Sequence, residues 1–442
     1  NRTTANELLS SNLSALRSHC RHLSRNNPTA RAGIDAFAAL LVGTGIALEP
    51  DTGDDATDKR IRAVWNGFVK QADVLGRDIY CMQTEAAREM PQAGEALWRI
   101  VVDPSLATAE NPIPVRLIAL EGEWLVDDVP SGDGIGWVAG IKLDKYGRPE
   151  MYFLRNPQTG LEEIVPASQI IHIFEPKRPL QARGEPDFAP IIETMMNERD
   201  LVDAELYAAK QTAAMALVIT SDMHGALDTS EDGSADDPVQ PVKLGGVARL
   251  YPGEDIKAFS HTRPSQMIAP FRQMLRGDIA AALRVPQRFL DRDVGRANYS
   301  SLRADMLDTQ RLLAPNREQF GHQSIGRVYR AILPYLAMSA GVATPRPNYR
   351  LLPDGQPYVD PEKDIRAAVA AITAGLSTWE EQISARGGDY RQVWAQLKKE
   401  QDEAAKLGIK LDLSGANAPA PQSSIGNVAE ATAAATQALP KA

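Results

Sequence analysis

The chain has 442 residues, more than a single hydrophobic core usually serves, so two or three packed regions are expected. Its 43% hydrophobic and 24% charged residues describe a soluble globular protein, neither disordered nor membrane-embedded. The net charge of −9 argues against a broad basic surface that grips nucleic acid, because such binding is built from many Lys and Arg contacts to phosphate. It leaves room for a protein that a duplex slides through, since each phosphate contact would deepen the well the DNA must leave. Equally, an acidic balance simply keeps a cytosolic protein soluble.

Residues 5–23 read as a helix that Asn26-Asn27-Pro28 ends, with Thr29 placed to cap the next one. In that first helix His19-Cys20-Arg21-His22 holds three potential metal ligands. Consecutive helical positions point around the axis and no second ligand pair accompanies them, so a polar face and no metal is expected. Cys20 and Cys81 allow at most one disulfide, which suits a reducing cytosol. The second helix stops at Gly43-Thr44-Gly45, and the uncharged apolar stretch 36–48 is too short to span a bilayer. The chain starts at Asn1 without Met, so a leader ahead of it stays an open question. A further helical stretch runs from about 58 into the region 85–88, with Trp65, Phe68, Val69 and Leu75 available for burial. Between 97 and 174 the period turns strand-like, at 97–102, 115–120, 140–143, 151–154 and 169–174, with Gly, Pro, Asp and Asn turns between. That region reads as a mostly antiparallel β unit.

A long helix over about 190–216 follows, with Ile192, Met195, Arg199, Val202, Leu206, Ala209 and Ala213 three or four apart. Residues 221–241 are acidic and turn-rich, an expected exposed loop, with short strands at 217–219 and 247–250 beside it. The next helix covers about 265–283 through Met267, Ile268, Phe271, Leu275 and Ile279, until Val285-Pro286 stops it. The polar, Arg-rich run 289–303 reads as a loop, after which Ser300 or Ser301 can cap a new helix. That helix passes Met306, Leu312 and Leu313, meets Pro315, which should kink or break it, and resumes with Phe320, Ile325, Val328, Tyr329 and Ile332. A helix pair hinged at Gly387-Gly388 is expected within 361–406. Beyond Leu413, Ala, Pro, Ser and Gln dominate, and packing would not offset the entropy of order. The fold class is α+β, predominantly helical.

Enzyme motifs are sparse. Gly134-Ile135-Gly136-Trp137-Val138-Ala139 fits a loose G-x-G-x-x-A form, but strand residues follow it where a dinucleotide site needs a helix, so a hairpin or loop is expected. There is no phosphate-cradling G-x-x-x-x-G-K-[ST], so the chain lacks the cradle a P-loop motor requires, and there is no G-x-S-x-G or H-E-x-x-H. Asp51, Asp54, Asp55 and Asp58 cluster, as do Glu231, Asp232, Asp236 and Asp237, without the calcium-loop pattern, and read as solvated acidic loops. His172 in Ile171-His172-Ile173 offers a base or, alternating out of a half-buried strand, a structural histidine. Tyr299 and its Ser neighbours lack the activating base a nucleophile needs. A metal-dependent hydrolase or nuclease built from scattered carboxylates stays the alternative reading, because spatial neighbours are invisible in sequence.

The most informative run is Asn298-Tyr299-Ser300-Ser301-Leu302-Arg303, after a helix ending at Val285-Pro286. It resembles the tunnel loop of tailed-phage portal proteins of the lambda-like family. Other pieces follow in the family's order. They are Arg25-Asn26-Asn27-Pro28 with Gly43-Thr44-Gly45-Ile46, then Ile171-His172-Ile173 with Arg178-Pro179-Leu180-Gln181-Ala182-Arg183-Gly184, then Leu250-Tyr251-Pro252-Gly253-Glu254. Together they cover roughly 25–336.

The resemblance implies a non-enzymatic head-tail connector with the portal fold, its wing, stem, clip and crown regions arranged in a ring. Its regions would be a wing at 1–188, first stem helix 189–216, clip 217–262, second stem helix 263–285, tunnel loop 286–301, a long kinked wing helix 302–340, a crown-side helical region 341–412 and a low-complexity tail 413–442. It implies a homo-oligomer of twelve copies at one capsid vertex of the virion, assembled in the host cytoplasm. Double-stranded DNA would pass non-specifically; the large terminase, a head-tail adaptor, and the major capsid and scaffold proteins would be partners. No membrane, cofactor, metal or catalytic residue is implied. The DNA-facing candidates are Arg288, Asp291, Arg292, Arg296, Asn298, Tyr299, Ser300 and Ser301. Arg292, Arg296 and Arg303 either touch phosphates or pair with Asp291, Asp293 and Asp305.

Overall fold

A computed structural model of the chain describes residues 4–126, 136–214, 218–221, 254–257, 267–292, 299–355 and 360–409. Helix α1 (Ala5–Asn26) opens on a capping box in which Thr4 and Glu7 satisfy each other's backbone N–H groups. Helix α2 (Pro28–Leu41) follows after Asn27, whose side-chain oxygen accepts from the N–H of Thr29 and of Ala30. The cap expected at Thr29 therefore falls on Asn27, because Pro28 already fits the first helical position, where a missing N–H is no loss.

After strand β1 (Ala47–Pro50), the single helix expected over 58–88 is two, α3 (Asp55–Lys70) and α4 (Ile79–Ala93). Between them the Asp73 carboxylate accepts from the N–H of Leu75 and of Arg77, and Asp78 caps α4. This turn chemistry overrides the helical period. Leu75, expected in the core, lies on the turn and is 76% exposed.

The β unit is two antiparallel sheets. Strands β2 (Glu95–Val102) and β3 (Val115–Leu120) lie in one; β4 (Trp137–Val138), β5 (Ile141–Leu143), β6 (Pro149–Arg155) and β7 (Glu162–Pro166) form the other; β8 (Ile170–Phe174) returns to the first, beside β2. The Gly-rich motif at 134–139 leads into the β4–β5 hairpin, whose turn residues Ala139 and Gly140 have φ of 45° and 82°. Strand β7 escaped the sequence reading because Glu162 and Glu163 hide its period.

Helix α5 (Ile192–Ala214) leads to β9 (Val218–Ser221), which pairs with β10 (Glu254–Lys257). The strand expected at 247–250 and most of the loop at 221–241, with its acidic cluster, lie outside the described residues. Helices α6 (Ile268–Ala282), α7 (Gln287–Asp291) and α8 (Tyr299–Gly321) come next, then a π-helical turn (His322–Gly326) and α9 (Arg327–Ala340). Pro315 does not break α8; it is exposed, so water can satisfy the carbonyl its missing N–H frees. The irregularity falls instead at the π turn, where Gly326 lies directly under Tyr349 of β11 (Tyr349–Leu352), the partner of β1. The expected helix pair is three helices, α10 (Pro361–Thr373), α11 (Trp379–Ser384) and α12 (Tyr390–Lys406), with Gly387-Gly388 before the last. The tail beyond Leu413 lies outside the described residues.

The larger core joins α2, α3, α4 and α9 to one face of the first sheet and to Ile279, Leu283 and Leu290. Trp65 sits within it, stacked on Phe68 at 5.6 Å and edge-on to Tyr329 at 5.4 Å, with its indole N–H donating to the Leu48 carbonyl. A smaller core of Leu97, Leu120, Ile141, Tyr152, Leu154 and Val165 joins the two sheets.

Beside this second core lies a buried charge cluster. The Glu95 carboxylate accepts from Arg183 Nε at 2.8 Å and from the Gly184 N–H at 2.7 Å, lies 3.1 Å from His172 Nε2, and is ion-paired with Arg17 Nη2 at 2.7 Å. All four side chains are under 5% exposed. Burial acts to raise the Glu95 pKa, yet Arg17, Arg183 and His172 outweigh it and hold it well below the usual carboxylate range. His172 is therefore a structural histidine that ties β8 to β2.

Candidate functional site

The run 286–301 is delivered by α6 and received by α8, and both ends are bound into the fold. Leu283 at the end of α6 meets Gly33 of α2 so closely that a Cβ there would stand 2.6 Å from Leu283 Cδ1. Arg284, just before Val285-Pro286, takes a left-handed φ of 57°, uncommon for a residue with a side chain. Its guanidinium holds it there, donating to both Glu175 oxygens at 2.9 Å and to Asp187 at 3.4 Å. Burial acts to lower the Arg284 pKa, but Glu175 and Asp187 hold it above the usual arginine value. The Glu175 carboxyl is held below its usual range by Arg284 against the effect of burial, whereas burial pushes Asp187 up.

The predicted loop is in part helix. Residues 287–291 form α7, which packs Leu290 against α2, and Gln287 Nε2 donates to the Gln273 carbonyl at 2.8 Å. The apolar pair Phe289-Leu290 next to a Pro at the helix N-cap gave this turn something to bury, which polar composition alone concealed. Asp291 is bound within the fold: its Oδ1 accepts from Arg276 Nη1 at 2.5 Å. Arg288 is 15% exposed, lies 3.6 Å from Asp305 of α8 and stacks over Phe289. Arg292 ends α7 in a left-handed conformation with φ 54°, its N–H on the Arg288 carbonyl, and is exposed.

Arg296 and Asn298 lie outside the described residues, as does Asp293. Tyr299, Ser300 and Ser301 belong to the first turn of α8 rather than to a loop, because the helix-forming run Leu302-Arg303-Ala304 propagates back over them. Arg303 pairs with Asp364 of α10 at 3.0 Å. Asp291, Arg288 and Arg303 thus each lie against an opposite charge, on Arg276, Asp305 and Asp364 in turn, and Arg292 is exposed. Among the described residues none of these pairs is one of those expected between Arg292, Arg296 or Arg303 and Asp291, Asp293 or Asp305. The described residues on either side of 293–298 form a frame of paired charges on α6, α7, α8 and α10.

Sequence reasoning missed the residues that build the frame, Arg276, Arg284 and Glu175. The spacing of Arg272 and Arg276, one helical turn apart on α6, was the available signal. Among the described residues no group of three or more His, Cys, Asp or Glu could hold a metal ion, and no helix is long and apolar enough to cross a membrane. In the His19–His22 run, Cys20 is buried and Arg21 bonds Glu89 and Glu123. The flanking helices carry exposed apolar side chains among the described residues: Phe271 and Met274 on one face of α6, and Leu206 and Tyr207 on α5.

The model of the phage portal protein family, lambda family, matches residues 1–316. Portal protein B of Escherichia phage lambda is 25% identical over 324 residues, 63% of this chain and 61% of that protein. The portal protein of Escherichia phage N15 is 25% identical over 322 residues, with the same coverage of 63% and 61%. The chain spans about three fifths of the length of these curated relatives. Among solved structures, a chain from the neck of a native gene transfer agent particle is 16% identical, covers 84% of this chain and 93% of that one, and superposes with a TM-score of 0.47. With the family model matching well over half of its length, the chain belongs to the lambda family of phage portal proteins.

Proposed function

We propose that the chain forms the ring-shaped channel at one vertex of a tailed-phage head, through which double-stranded DNA is packaged and later ejected. The family match over residues 1–316 carries this reading. The ring is proposed to hold twelve copies meeting head to tail, with one face of each subunit against a different face of the next. The exposed apolar side chains on α5 and α6 support such a neighbour, since a lone domain rarely exposes them together.

In this reading residues 1–188 are the wing towards capsid and scaffold proteins, α5 and α6 the stem, and 217–262 the clip that meets the large terminase and then the head-tail adaptor. Residues 302–340 are the long wing helix and 341–412 the crown side. The constriction is the segment beginning at Arg292, with Arg296 and Asn298 as its further candidates. Arg288 and Asp291 serve as its frame and Tyr299, Ser300 and Ser301 as its far edge. Contacts to DNA would be few and directed at phosphate, which positions a duplex without reading its sequence. The particle would assemble in the host cytoplasm and remain in the virion. No observation at the site favours the hydrolase or nuclease reading.

Replacing residues 294–298 with a Gly-Ser linker tests the assignment. The ring should persist while DNA packaging or retention falls. A ring that falls apart into folded monomers would make the segment an assembly interface instead.

A further inference from the structure

Asp291 is bound to a residue that is itself held from a third helix. Arg276 uses Nη1 for Asp291 of α7 and Nε for Glu198 Oε1 of α5, at 2.7 Å. Glu198 is 4% exposed. Its Oε1 also takes Arg272 Nη2 at 3.1 Å, and its Oε2 takes the Thr29 hydroxyl at 2.9 Å. The N-cap of α2 reaches the same place, with Asn27 Nδ2 donating to the Met195 carbonyl. One buried carboxylate thus joins α2, α5, α6 and α7. Burial acts to raise its pKa, and Arg276, Thr29 and Arg272 hold it below the usual value.

The chemistry of the joint is specific. A guanidinium is planar and rigid, so an arginine that bonds one carboxylate through Nε and another through Nη1 fixes the distance and angle between them. The position of Asp291 is therefore set by α5 as well as by its own chain. Asp291 immediately precedes Arg292, the exposed residue from which the segment departs.

We infer that Glu198 is the positioning residue for the end of α7: through Arg276 it fixes Asp291, and so the place of Arg292, the residue next to it. Its consequence for DNA passage rests on the function proposed above; the positioning itself does not. Thr29 of α2 donates to Oε2 of the same carboxylate, whereas Arg276 is held by Oε1, so loss of the Thr29 hydroxyl should leave the hold on Arg276 and Arg292 in place.

A nitroxide at position 292 tests this in the full chain, as Arg292→Cys in a Cys81→Ser background, since Cys81 is exposed and Cys20 buried. The spectrum should show an immobilised label. Glu198→Gln and Asp291→Asn should each abolish the immobilised component, the double variant should be no more mobile than Asp291→Asn, and Thr29→Ala should keep it. Arg276→Lys retains the charge without the fork and should mobilise the label even if Glu198→Gln fails to fold. An immobile label in Glu198→Gln alongside a lowered melting temperature, or in Arg276→Lys, would overturn the inference, as would additive effects in the double variant. Packaging measured on the same variants reports separately on the channel: a mobilised label with packaging unchanged would leave the positioning intact and count against the channel reading.

Discussion

Replacing Glu95 by Gln removes one charge from the buried cluster while keeping its shape. Arg17 and Arg183 would then share the interior, at 4% and 1% exposure, without a counter-charge. Breaking one partner of a buried ion pair typically costs roughly 3–5 kcal/mol, because the other charge stays desolvated. The lower end is expected here, since Arg17 Nε donates to the Ala93 carbonyl and Arg183 donates to those of Ala139 and Gly122. With two cores in the chain, a single global unfolding free energy is ill-defined, so amide hydrogen exchange is the suitable assay. The opening free energy of the β2 and β8 amides should fall by about 3 kcal/mol, roughly a hundredfold loss of protection, while amides of α3 and α9 change little. A loss below about 1 kcal/mol on β2 and β8 would refute the reasoning, since it would mean the arginines are effectively solvated.

Three further outcomes are expected. Burial pushes the His172 pKa below its ordinary value, with Glu95 opposing. The unfolded chain then binds the proton first, so this contribution to stability is complete above pH of about 6.5 and is lost as pH falls below it. Thermal melts from pH 8 to 5 should show that decline, and His172→Gln should flatten it; a wild-type melt independent of pH would contradict the assignment. In Gly326→Ala the new methyl meets the Tyr349 hydroxyl, and overpacking of this kind costs about 1–3 kcal/mol, so a variant whose β1 and β11 amides keep the parent's protection from exchange would show that β11 yields freely. Phe271→Glu places a charge beside Met274 on α6, where Phe271 is 47% exposed. The chain should fold normally by circular dichroism yet assemble poorly, and undiminished assembly would show that this face meets no neighbour.

What the sequence made legible follows from where side-chain periodicity and backbone chemistry agree. Helices α5 and α6 and strands β2, β3 and β8 were readable because apolar spacing, turn residues and stops all pointed the same way. The boundary at Leu75 was misread because Asp73 spends its carboxylate on local N–H groups, which no hydrophobic period records. The π turn leaves no pattern of its own; only Gly321 and Gly326, each against a β11 side chain, hint at it. At the candidate segment the motif residues Tyr299, Ser300 and Ser301 fall in the first turn of α8, which the polar composition of the run did not foretell. Asp291, Arg288 and Arg303 look like free charges in a polar run, and their partners Arg276, Asp305 and Asp364 are fixed only by folding. The same holds for Arg183, which the resemblance picked out as part of a run and which folding makes the partner of Glu95.

The most direct test of the central claim is the native mass of the purified chain together with end-on electron-microscope views. The account predicts a closed ring of subunits around an axial opening wide enough for duplex DNA. A particle without that opening, or a chain that stays monomeric at every concentration and salt, would contradict it.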